Sequence, residues 1–176
     1  MKKTFSILVA LMMILTAAAA LAEATPFTFR NGVTFGMNMD DVIATESVRY
    51  HEIDRNHTHG PVDFMELEYE HVTENGVRAD LKYLFVGNEL VAIRVGYDTW
   101  AISFQQLEAD LTAKYGPAAA TVDLNALGNG IFAVDDDGRL ERKAEAFVSG
   151  NVMIVLEQDG DDIDLTYVDL SAAYIK

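Results

Sequence analysis

Phe64-Met65-Glu66-Leu67-Glu68-Tyr69-Glu70-His71-Val72, followed by Val77-Arg78-Ala79-Asp80-Leu81-Lys82-Tyr83-Leu84-Phe85, is the stretch that decides the fold. Met65, Leu67, Tyr69 and His71 fall on one side, with Glu66, Glu68 and Glu70 on the other. Val77, Ala79, Leu81, Tyr83 and Phe85 repeat the pattern against Arg78, Asp80 and Lys82. Alternation with period two marks a pair of half-buried strands. Both apolar sets are odd-numbered, so paired residues must sum to an even number. A two-residue Asn75-Gly76 turn would set apolar residues opposite polar ones. A three-residue loop, Glu74-Asn75-Gly76, pairs Thr73 with Val77 and keeps the faces together. That register sets Glu68 opposite Lys82, a pair worth about 0.2–1 kcal/mol. It also sets Glu70 opposite Asp80, which is a like-charge contact.

Downstream, a turn at Gly87-Asn88-Glu89 leads to another alternating strand, with Val91, Ile93, Val95 and Tyr97 on one face. Upstream, Asn31-Gly32 marks a turn, and Asn38 is a helix N-cap with Asp41 three residues on. This short helix is expected to reach about Ser47 and to bury Val42 and Ile43. A second helix starts at the Ser103-x-x-Gln106 capping box. Phe104, Leu107, Leu111 and Tyr115 share one of its faces, and Gly116-Pro117 ends it. Residues 118–130 read as a loop. Strands follow at 131–134, 143–148, 152–157 and 163–168, separated by Asp- and Gly-rich turns. The fold class is α+β: two tandem helix-plus-antiparallel-strands units, about 27–99 and 100–170, with helices packed on one face of an antiparallel sheet.

The chain of 176 residues begins with Lys2 and Lys3, an apolar run over 5–20, and small residues at Ala20 and Ala22. These are the zones of a secretory signal peptide, cleaved after Ala22 or, second choice, Ala24. The expected product is a single domain, 23–176, in the periplasm or outside the cell. Thirteen Lys and Arg stand against 28 Asp and Glu, for a net charge of −15. Losing two leader lysines makes it −17. Such a chain does not attract phosphate backbones, so no nucleic-acid partner is expected. Without cysteine there is no disulfide, no thiolate ligand, no thiol nucleophile and no lipid anchor. Half the residues are apolar, which excludes a disordered acidic tail.

Phe35-Gly36-Met37-Asn38-Met39-Asp40-Asp41-Val42 resembles the helix start of small bacterial envelope proteins. The Leu107-x-x-x-Leu111-x-x-Lys114-Tyr115-Gly116-Pro117 ending also recurs in them. The resemblance is to the beta-lactamase-inhibitory-protein-like and small outer-membrane-assembly lipoprotein types. It implies tandem helix-then-strands repeats and a role in binding other proteins. The assembly lipoproteins carry a lipidated cysteine, and this chain has none.

The histidines are the one constellation with possible chemistry. His51, His57 and His59 lie close together beside Glu52 and Asp54, residue types that suit zinc or copper. The alternative is a polar loop joining the first helix to the sheet. His71 falls on the apolar side of its strand as a half-buried core histidine. An EF-hand centred on Gly138 would put Ala133 and Ala144 at its end positions, so that acidic stretch reads as a turn. No G-x-S-x-G, H-E-x-x-H or phosphate-binding Gly loop occurs. Trp100, at the junction before the second helix, reads as a packing residue.

The expected function is an exported, non-catalytic protein-binding module of the bacterial envelope or extracellular space, with another envelope or secreted protein as partner. Glu66, Glu68 and Lys82 mark the exposed sheet face as the expected partner-binding surface. A histidine-based metal-binding protein is the alternative, and an unrecognised hydrolase, needing a concave pocket of acids and histidines, is third.

Overall fold

In a computed structural model, which describes residues 27–59, 62–121 and 143–172, the deciding stretch forms β2 (Val62–Glu74) and β3 (Val77–Val86). Glu68 stands opposite Lys82, as the alternation requires. The route to that register differs from expectation. The turn has only two residues, Asn75-Gly76, and Glu74 pairs with Val77. Both turn residues have positive φ, 50° and 79°. That is the twist-matched turn for which Asn-Gly is suited. The odd residue sits in the strand instead, where the register shifts between Tyr69 and Val72. His71 adopts φ 60°, and its N–H donates to Asp80 Oδ1 at 2.9 Å. This bulge takes Glu70 out of direct opposition to Asp80 and turns the repulsive spot into a hydrogen bond. It also reverses the faces beyond it. Val72 is buried and His71 is exposed, so His71 is not the core histidine its strand phase suggested.

The 52–59 segment is no connecting loop. It forms β1 (Glu52–His59), antiparallel to β2, and extends the sheet by one strand. β4 (Glu89–Asp98) follows β3 through Gly87-Asn88, again with both φ values positive. After α2 (Phe104–Tyr115) come β5 (Ala120–Thr121), β6 (Lys143–Ser149), β7 (Val152–Asp159) and β8 (Asp162–Asp169). The sheet order is β1-β2-β3-β4-β8-β7-β6-β5, every pairing antiparallel. Two meanders therefore meet at β4 and β8, with Ala92 opposite Val168 at one end and Asp98 opposite Asp162 at the other. The leader, the strand expected at 131–134 and the acidic turn at 135–138 lie outside the described residues.

Local chemistry explains both helices. α1 (Met39–Thr45) is capped by Asn38, whose side chain accepts from Asp41 N at 2.9 Å and donates to Asp41 Oδ2 at 2.7 Å. It stops two residues short of Ser47, and it buries Met39 and Val42 while Ile43 is only partly covered. α2 is capped by Ser103, buries Phe104, Leu107 and Leu111, and ends at Gly116 with φ 87°. The helix residues share one cluster with Leu67, Tyr69, Leu81, Tyr83, Ile93, Val95, Ile154, Leu156 and Leu165. Both helices thus cover the same face of an α+β fold dominated by its sheet. The 27–37 segment lies on that face too. Phe27 stacks on Phe35 at 5.1 Å and both Phe27 and Phe29 meet Tyr167. A smaller buried cluster, Leu84, Ala92, Ala144, Ala146, Val155 and Val168, occupies the opposite face. Among the described residues no helix is long and apolar enough to cross a membrane.

Candidate functional site

Among the described residues, the face opposite the two helices carries the charges. Lys82 Nζ lies 3.4 Å from Glu68 and 3.9 Å from Glu66, so the three residues expected to bind a partner do converge on one face. They are half-buried and pair with one another, which leaves them little charge to offer a ligand. Two residues along β3, the same face opens into a pocket of about 410 Å³. Its floor is Gly96, which sits between Asp80 of β3 and Asp164 of β8. A methyl group at Gly96 would stand 3.4 Å from Asp164 Oδ1, so glycine leaves the floor open.

The next row of the sheet forms the pocket's outer wall. Asp98 pairs with Asp162, and Asp162 with Asp159, which sets three carboxylates in register across β4, β8 and β7. Like charges directly opposite one another destabilise a sheet. Asp98 and Asp162 are exposed, and neither has a side-chain ion pair among the described residues. Burial raises the Asp164 carboxyl above the ordinary Asp range, and Arg94, at 3.8 Å, works against that rise.

Trp100 lines the same pocket as these acids. It is 77% exposed, so it is not the packing residue its sequence position suggested. A tight turn holds its backbone. Asp98 O accepts from Ala101 N at 2.9 Å and Ile102 N at 3.3 Å, while Thr99 N donates to Asp161 O at 2.9 Å. Opposite Trp100, Arg78 and the bulged His71 complete the rim. Arg78 Nη2 lies 2.6 Å from His71 Nδ1 and 2.5 Å from Nε2. Both imidazole nitrogens therefore face a guanidinium, a poor position for a general base. The pocket has the acids and the histidine that hydrolysis would need, but that histidine is committed.

The metal expectation meets less support. His51 Nδ1 is 3.4 Å from Glu70 Oε2, and both side chains are well exposed. The backbone places His57 and His59 on edge strand β1, opposite Phe64 and Val62, while their side chains lie outside the described residues. Among the described residues no three His, Cys, Asp or Glu side chains converge as a zinc or copper site.

The other face holds a polar cluster of a different kind. Glu46, at the C-terminal cap of α1, has a wholly buried side chain. Asn31 Nδ2 donates to it at 2.8 Å, the Tyr83 hydroxyl donates to Oε1, and Arg30 Nε lies 3.5 Å away. Burial and the bond to Glu46 push the Tyr83 hydroxyl well above the usual tyrosine range. Burial first and Glu46 second push Tyr69 up to about 12.

Comparison with protein-family models, with curated proteins and with solved structures finds no match for this chain.

Proposed function

We propose that the chain is an exported, non-catalytic protein-binding module of the bacterial envelope or extracellular space, whose partner docks on the sheet face opposite the two described helices. The observation that carries this reading is Trp100, which presents its ring to solvent from a hydrogen-bonded turn beside an acid-lined pocket. A rigid exposed tryptophan next to a concavity is the residue type and setting that dominates binding energy in protein interfaces. Glu66, Glu68 and Lys82 lie on the same face and would form the charged rim, where complementarity sets orientation more than affinity. Among the described residues, a helix followed by four strands occurs twice. This supports reading 27–99 and 100–170 as tandem units of the beta-lactamase-inhibitory-protein type, whose understood members act by binding proteins.

The test is a cross-linking capture with the secreted protein, tagged at its C-terminus, against the source cell's envelope and secreted fractions. It compares wild type with Trp100→Ala and with the double charge reversal Glu66→Lys, Glu68→Lys. The expected result is one saturable partner, lost with Trp100→Ala and weakened with changed salt dependence by the reversal. A partner captured equally by all three proteins would remove this face from the account.

A further inference from the structure

Resting on that reading, we propose that the Trp100 pocket takes the guanidinium group of an arginine side chain on the partner protein. The pocket is of side-chain size, about 410 Å³, and it is open enough for an inserted residue to enter from solvent. Four aspartates line it, Asp80, Asp98, Asp162 and Asp164, with Arg78 and His71; His71 meets Asp80 and Arg94 meets Asp164, which leaves Asp98 and Asp162 without a side-chain ion pair among the described residues. The Asp98–Asp162 pair is a register that sheets avoid, and it occurs at the pocket wall. A sequence that keeps a locally unfavourable arrangement beside an open cavity is expected to gain from it elsewhere. A bound cation removes the repulsion at once. Trp100 adds an exposed ring, the aromatic face best suited to a cation.

The choice of guanidinium over ammonium follows from the lining, an exposed tryptophan beside paired carboxylates. Guanidinium is planar, more weakly hydrated than ammonium, stacks on tryptophan, and forks across paired carboxylates. At the pocket's rim the Arg78 Nη2 meets the ring nitrogens of His71, and Asp80 Oδ1 lies 3.4 Å from His71 Nδ1. Arg78 also competes by charge for the same acids, which gives the proposal a sign that a merely structural arginine would not have.

The experiment titrates the secreted protein at low salt with N-acetyl-arginine amide, N-acetyl-lysine amide and N-acetyl-citrulline amide. Citrulline keeps the shape of arginine and lacks its charge. Trp100 is the sole tryptophan, so its fluorescence reads the site directly. The expected result is saturable binding of the arginine probe in the millimolar range, weaker lysine binding, and citrulline at least about tenfold weaker. Asp98→Asn and Asp162→Asn should each weaken arginine binding several-fold, and Arg78→Ala should tighten it. Trp100→Ala, read by calorimetry, should cost about tenfold in affinity. Equal binding of arginine and citrulline overturns the proposal, as does lysine binding more tightly than arginine. Saturation of the site by calcium or magnesium at lower concentration than arginine overturns it too. If the probes fail while the captured partner is still lost with Trp100→Ala, the guanidinium assignment falls and the docking face stands. If both fail, the docking face falls with it.

Discussion

Glu46 and Asp164 are carboxylates on opposite faces of one sheet, each with an arginine near it and an aromatic residue in its neighbourhood, and their surroundings differ in kind. Around Glu46 a tyrosine hydroxyl, an asparagine amide and a guanidinium converge on a side chain with no exposed surface. Around Asp164 there is one arginine at 3.8 Å, Lys82 farther off, two further aspartates, Asp162 and Asp159, raising its pKa, and an open pocket. The first group is satisfied within the chain and fastens α1 and the 27–37 segment to the sheet. The second has negative charge in excess of its partners and an exposed ring beside it. Residue type alone does not separate a structural cluster from a binding site. The separation lies in how many polar groups are answered from within the molecule.

The widest gap between the two regions is expected in stability. Glu46→Ala removes the acceptor shared by Tyr83, Asn31 and Arg30, and leaves a guanidinium partly buried without it. The loss should be about 3 kcal/mol, read from urea midpoints. Trp100→Ala buries nothing new and uncovers little, so it should stay within about 0.5 kcal/mol. Equal losses would break the distinction.

Alkaline titration sharpens it next. Burial raises the hydroxyls of Tyr69, Tyr83, Tyr97 and Tyr167 in the folded state. A group with a raised folded pKa contributes stability below its unfolded pKa, near 10, and that stability is lost as pH climbs through the folded value. The loss begins near pH 10, and for Tyr69 it is complete at about 12. Phenolate absorbance from these residues should therefore appear together with loss of circular dichroism, not before it.

Asp162→Asn tests the opposite face with a smaller effect. Relieving the like-charge register should stabilise the fold by a few tenths of a kcal/mol, about 0.2–1, while weakening cation binding. Stabilisation without loss of binding would make the aspartate row an accident of the turn. The smallest effect is at Asp164. Its raised pKa means that the native state holds this proton to higher pH than the unfolded chain does. Its contribution is therefore present below the ordinary Asp pKa and is lost as pH rises through the raised value. As pH rises above the ordinary Asp value, about 4, wild type should lose slightly more melting temperature than Asp164→Asn does.

Much of the sheet was legible because alternation is a local signal. The hairpin faces, the Glu68–Lys82 register, both helix caps and the Gly116 stop follow from residues a few positions apart. The Asn75-Gly76 turn was misjudged because parity has two solutions, an extra residue in the turn or one in the strand. The repulsive Glu70–Asp80 pairing marked the place where the strand takes the second. Trp100 was misassigned for another reason. Helical and strand phase say which face a residue takes, and a residue in a turn has no phase. The pocket itself needs β4 beside β8, a contact between residues more than sixty positions apart. No spacing along the chain specifies that pairing, so Asp98, Asp162 and Asp164 could not be grouped from sequence.

The central claim is that the face bearing Trp100, and not the one covered by the two described helices, meets a partner. The most direct measurement is site-specific photo-cross-linking in the producing cell. One photoreactive residue replaces Trp100, and another replaces Ala44 on the exposed side of α1. The account predicts one saturable protein adduct from position 100, competed by arginine amide, and none from position 44. An adduct from position 44 alone, or the same adduct from both, would contradict it.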